Sequence, residues 1–106
     1  MISVTTDSLE GYSIREYKGI VSAEVIQGIH FVKDFAASVR NFFGGRSNSY
    51  EGEVLTARFD ALAEMEKRAK ELGANAIVGV DFGYETLGSN GSMVMVTASG
   101  TAVVIE

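Results

Sequence analysis

From Leu55 the apolar residues recur at Leu55, Phe59, Leu62, Met65, Ala69 and Leu72, steps of three and four that put them on one face of a helix. Arg58, Asp60, Glu64, Lys67, Arg68, Lys70 and Glu71 occupy most of the remaining positions. Gly73 follows the last apolar residue, where a helix end favours a left-handed backbone. The period then changes to two. Ala76, Val78, Val80, Phe82 and Tyr84 alternate with Ile77, Gly79, Asp81, Gly83 and Glu85, which predicts a strand with one buried face. Helix and strand, joined by a tight turn, most simply bury against each other, so residues 49–85 organise the chain.

The flanking segments follow the same two patterns. Residues 2–6 read as an edge strand, and Asp7, Ser8 and Gly11 mark the turn after it. Residues 13–27 read as a second strand, with Tyr17, Gly19, Val21, Ala23 and Val25 on the packed face and Glu16, Lys18, Ser22 and Glu24 on the other. A helical period returns over 31–43, with Phe31, Phe35, Val39 and Phe42 on one side, and Gly44-Gly45 ends it. Asn48 followed three residues later by Glu51 resembles a capping box and predicts that the long helix opens near Asn48 or Ser49. The third strand spans about 74–86, Asn90-Gly91 marks a turn, and residues 93–105 form a fourth strand. That strand places Val94, Val96, Ala98, Gly100, Ala102 and Val104 on its apolar face. The predicted fold is α+β, a single domain over 1–106 in the order β-β-α-α-β-β, with a mostly antiparallel sheet and two helices on one face.

The second face of that sheet is mixed: Met93, Met95, Thr97, Val103 and Ile105 stand beside Ser99 and Thr101. It is too apolar to leave wholly in water, and so small a sheet has two open edges that invite pairing. The expected partner is the chain itself, in a closed homo-oligomer.

Composition narrows the function. A net charge of −5 without a basic cluster argues against nucleic acid as a partner. The absence of cysteine excludes disulfides, zinc ribbons and thiol catalysis, and fits a reducing compartment, so a cytoplasmic location is expected. Residues 86–105 carry no charge and are long enough to span a bilayer, but Gly88, Ser89, Asn90, Gly91, Ser92, Thr97, Ser99 and Thr101 make the stretch too polar to insert.

Candidate chemistry is sparse. His30, the single histidine, reads as a surface or capping residue, although with Asp34 at i+4 it could bind a metal. Asp81 and Glu85 point to one side of a strand, and Glu16 and Glu24 lie on the exposed face of another. Were those strands neighbours, the carboxylates would converge in a way that suits magnesium or calcium; otherwise they are a solvated face or interface charges. Gly44-Gly45-Arg46-Ser47 before a helix can hold an anion on backbone amides, or serve only as a turn. Asp81-Phe82-Gly83 spells a kinase triplet, yet the other kinase motifs are missing. No nucleophile–base pair is visible, so no enzyme is expected.

Several separated motifs resemble one family. Gly44-Gly45-Arg46-Ser47 with Tyr50-Glu51, Leu72-Gly73-Ala74-Asn75-Ala76, Val78-Gly79-Val80-Asp81, Gly91-Ser92-Met93 and Ser99-Gly100-Thr101-Ala102 look like the YbjQ-like family, small bacterial and archaeal proteins that carry a heavy-metal-binding label. Thr5-Thr6, Gly11, Tyr17 and Gly19 match as well. The resemblance implies a dodecin-like α+β subunit assembled as a homopentameric ring. Its metal label implies similarity to ferredoxin-like domains that bind through a Cys-x-x-Cys pair. This chain has no cysteine, so no soft-metal site is expected and any cofactor is unknown. The resulting expectation is a ring that holds a small ligand or cation at its subunit boundaries through Glu24, Asp81, Glu85 or Arg46. The alternative is an oligomer whose role is purely structural.

Overall fold

The computed structural model describes residues 1–28, 46–88, 91 and 93–106, with the helix side chains described from residue 52 onward. The helix expected over 31–43 lies outside the described residues. Five elements follow in order: β1 (Ile2–Ser3), β2 (Ile14–Gly28), α1 (Arg46–Glu71), β3 (Ala76–Leu87) and β4 (Met93–Ile105). The strands form one sheet in the order β1-β3-β4-β2. β4 pairs antiparallel with both β2 and β3, whereas β1 runs parallel to β3, so the sheet is mixed. Beyond β1 the chain stays on the β3 edge: the Gly79 amide donates to the Thr6 carbonyl (2.8 Å) and the Val80 amide to the Val4 carbonyl (3.0 Å).

The described part of α1 begins at Arg46, so Asn48 and Glu51 both lie inside the helix and not at the position expected for its cap. Its end is as expected. Gly73 adopts φ 87°. The Gly73 amide donates to Lys70 (2.9 Å) and the Ala74 amide to Ala69 (3.0 Å), the paired bonds that satisfy a helix's last carbonyls.

The face that α1 buries differs from the expected one. Ala57, Ala61, Met65 and Ala69, spaced four apart, are wholly buried on the sheet, while Leu55, Phe59 and Leu72 are exposed, Phe59 by 62%. The hydrophobic period weighted large side chains, but a helix lying close on a sheet admits methyl groups along its line of contact and displaces rings to its flank. The flank that carries Leu55 and Phe59 also carries Arg58, which lies over β3.

Both long strands that flank β4 contain extra residues, one in β3 and two in β2, where Arg15 and Lys18 have no partner on β4. On β3, Val78 faces Thr101 and Asp81 faces Ser99, so Gly79 and Val80 together oppose Gly100. Such a bulge turns the strand over. Ile77 and Val80 belong to the core under α1 with Phe82 packed against it, while Ala76 and Val78 belong to a cluster on the opposite face. The single alternating face expected for β3 is therefore corrected. On β2, Tyr17 faces Val103 and Gly19 faces Ala102, leaving Lys18 unpaired in the ladder. Val21 and Ala23 pack under α1 as expected, but Tyr17, 68% exposed, moves to the far face.

That far face is not uniformly bare. At one end Val103 and Ile105 are buried with Ala76 and Val78 under Val4, Leu9 and Ile14 of the chain's own N-terminal segment. At the other end Ile26 and Met93 are exposed, and so is Ile20, on β2 in the row of Thr101 and Val78. The expectation of a wholly uncovered second face thus holds for one half of the sheet only.

A carboxylate face and an arginine platform

Pairing register places the predicted acidic residues. Directly opposed residues share a sheet face, which gives three rows across the side away from α1. These rows are Asp81–Ser99–Ser22, Gly83–Thr97–Glu24 and Glu85–Met95–Ile26. Glu24, Asp81 and Glu85 are exposed on this face, and among the described residues none is hydrogen-bonded or ion-paired. They do not converge. β4 separates β2 from β3, which puts Glu24 two strand spacings, about 9.6 Å of backbone, from the row of either β3 acid. The side chains come together only if another β2 lies beside β3. Gly83 leaves a notch in the middle row: a methyl there would stand 2.7 Å from the Thr97 hydroxyl oxygen.

Glu16, expected on the same face as Glu24, instead faces Val104 and so lies on the other face of the sheet, the irregular pairing of β2 having reversed the alternation between the two; the Lys18 Nζ lies 3.1 Å from its carboxylate. Arg46 is the first residue of α1, and its side chain, like Gly44, Gly45, His30 and Asp34, lies outside the described residues. Among the described residues no group of three His, Cys, Asp or Glu side chains could hold a metal ion.

The α1 side of β3 holds an arrangement that the sequence reading missed. The Arg58 guanidinium carbon sits 5.9 Å from the centre of the Phe82 ring and 5.8 Å from that of Tyr84. Alternation placed the two rings on one face of a strand, but the helical period assigned Arg58 to solvent. Only the helix-to-strand pairing, which no local pattern encodes, brings them together. Next to this platform lies a cavity of about 320 Å³ lined by Val54, Tyr84, Glu85, Thr86 and Val94. On the opposite flank of the helix the buried Glu53 carboxylate accepts a 2.9 Å hydrogen bond from Gln27, the register partner of Val94.

These features define an α+β subunit with a helix on one sheet face, a partly bare second face and, among the described residues, an unpaired outer edge along β2 and along β3 beyond Val80. The chain belongs to the YbjQ family, whose model, described as "Putative heavy-metal-binding", matches residues 1–106. It is 63% identical to a UPF0145 protein of Acetivibrio thermocellus over the full length of both chains. It is 62% identical to one from Clostridium botulinum, again over the whole of both. A UPF0145 protein of Listeria monocytogenes is 59% identical over the whole of this chain and 96% of its own. In structure, the fold matches a crystal structure of a DUF74-family protein of unknown function from Pediococcus pentosaceus, with TM-score 0.68 and 22% identity over 100% of this chain and 98% of that one.

The residues here do not fit the family's heavy-metal description. Soft metals select thiolates and clustered imidazoles, and the sequence offers no cysteine and a single histidine. The sulfurs outside the core are the thioethers of Met1, Met93 and Met95, weaker donors that fill irregular apolar contacts well.

Proposed function

We propose that this protein is a homo-oligomeric ring, five subunits by family resemblance, that works in the cytoplasm as a binding module rather than a catalyst. A hard cation or small ligand is held at each boundary by Glu24 of one subunit with Asp81 and Glu85 of the next. One observation carries the reading. The acids share one sheet face but are split between β2 and β3, the two strands whose outer edges lack a strand partner among the described residues, β3 beyond its contact with the N-terminal segment. Head-to-tail pairing of β2 with a neighbour's β3 would bring them from two strand spacings to one, about 4.8 Å. The exposed Ile20 and Ile26 of β2, and Leu55 and Phe59 beside β3, supply apolar surface along those edges. Oxygen-only donors suit calcium or magnesium.

The test is native mass spectrometry joined to calcium titration calorimetry. The parent chain is expected to be oligomeric and to bind calcium once per boundary. Asp81→Ala should keep the assembly and lose the ion. A monomer at micromolar concentration removes the proposal. An intact oligomer that takes up no ion supports the purely structural alternative, for which the exposed apolar edge residues alone suffice.

A further inference from the structure

We propose that the cleft between α1 and the outer half of β3 binds a small organic carboxylate with an apolar body, its carboxylate on Arg58 and its body in the cavity beside Tyr84. The inference concerns the opposite face of the sheet from the carboxylate rows and stands whether or not the chain assembles. Arg58 is the first ground. Its guanidinium carbon lies just under 6 Å from the ring centres of both Phe82 and Tyr84, within cation–π reach of two rings at once, which restrains where the group sits. Among the described residues it makes no hydrogen bond or ion pair, so its fork of N–H donors is held in place with nothing to donate to. Arginine restrained in this way suits bidentate recognition of a carboxylate.

The cavity is the second ground. Its 320 Å³ lies at the small end of ligand sites and equals on the order of ten waters at ~30 Å³ each. Its floor is the cross-strand pair Thr86 and Val94, and its walls are Val54 and the Tyr84 ring. Val54 stands one helical turn before Arg58 on the same side of α1, so the cationic head and the apolar pocket adjoin along the helix. The two nearby carboxylates are directed elsewhere: Glu85 shares its sheet face with Met95, away from α1, and Glu53 is held by Gln27 on the far flank of the helix. A neutral apolar molecule would leave Arg58 unused, and an inorganic anion would leave the pocket unfilled. A molecule with both parts uses both.

The probes are phenylacetate, its neutral isostere phenylacetamide, and acetate, each titrated into the full chain and followed by backbone amide NMR. Phenylacetate should perturb Val54, Tyr84, Thr86 and Val94 saturably and bind about tenfold tighter than either control, the step expected when one charged hydrogen-bonded contact is added. Arg58→Gln should abolish the preference for phenylacetate over phenylacetamide, and Arg58→Lys should restore part of it. Thr86→Trp, at an exposed position, should block binding while leaving Arg58 intact. Thermal melts of each variant separate lost binding from lost folding. The proposal is overturned by no saturation at millimolar phenylacetate, by an equal affinity for phenylacetamide, or by Arg58→Gln that folds and binds like the parent. Sedimentation of the same samples distinguishes this outcome from failure of the ring: binding by a monomer removes the assembly alone, and an intact oligomer that ignores phenylacetate removes the cleft alone.

Discussion

Replacing Ile20 with lysine separates the stability of the subunit from that of the assembly. Ile20 is 85% exposed on β2, a strand whose only sheet partner among the described residues is β4. In an isolated chain the substitution touches almost nothing, and a change within about ±0.5 kcal/mol is expected, as for surface positions in general. Burying an isoleucine fully is worth ~1.5–3 kcal/mol, and at 85% exposure nearly all of it, ~1.3–2.5 kcal/mol, is gained only when a neighbour covers β2. Each boundary constant should therefore fall by about tenfold to seventyfold, before any cost of placing a lysine ammonium in the contact. A ring has as many boundaries as subunits, so the losses multiply. Sedimentation velocity across micromolar concentrations should show Ile20→Lys shifted to smaller species. If Ile20→Lys keeps the parent's oligomer at every concentration, β2 is not a boundary, and the convergence of Glu24 with a neighbour's Asp81 fails with it.

Two backbone positions give further expectations, both read by urea denaturation. Gly73→Ala should lower stability by about 1–2 kcal/mol, because a side chain is forced into the left-handed conformation that closes α1 at φ 87°. Gly100→Ala should cost ~1–3 kcal/mol by overpacking, since the added methyl stands 2.7 Å from the Ile77 Cγ2 and 3.1 Å from the Val78 carbonyl opposite the bulge. An unchanged midpoint for either would mean that the local geometry differs from that described here.

The order of the described strands, the long helix and its glycine stop could be read directly from period and punctuation. Local alternation also put Val94, Val96, Ala98 and Ala102 in the core, where they are buried. What local pattern could not show was distance between elements. The close seat of α1 on the sheet makes Ala57 and Ala61 the contact residues and leaves Phe59 outside, a preference that a hydrophobicity period cannot express. Strand order had the same effect on the candidate site. Glu24, Asp81 and Glu85 are on one face as alternation predicts, yet β4 stands between them, because the sheet runs β3-β4-β2. The Arg58 platform escaped for a related reason: its parts lie on two elements, and each part alone looks like an ordinary surface cation or an ordinary strand aromatic.

The bulges connect these two levels. Before Gly79 the odd residues of β3 face α1, with Ile77 in the core; after Val80 the even ones do, with Phe82 packed there. Were Gly79 and Val80 instead to continue the strict alternation, with no bulge, the strand would carry Asp81, Gly83 and Glu85 under the helix, where unpaired carboxylates are costly to bury, and would turn Phe82 and Tyr84 away from Arg58. The positive φ of 65° at Gly79 is what lets the chain insert the extra residue. On β2 the unpaired Lys18, beside Gly19 at φ 114°, performs the same reversal, so that Tyr17 lies outside while Val21 and Ala23 lie inside. Deleting Val80 should therefore leave the faces in place, because Gly79 alone then opposes Gly100 while Asp81 stays opposite Ser99 and Phe82 opposite Ala98. The expected loss is that of one buried valine, about 1.5–3 kcal/mol in urea denaturation, with calcium and phenylacetate binding retained by the folded chain. A deletion variant that folds but binds neither would show that the local twist of the bulge, and not the register it sets, positions the two sites.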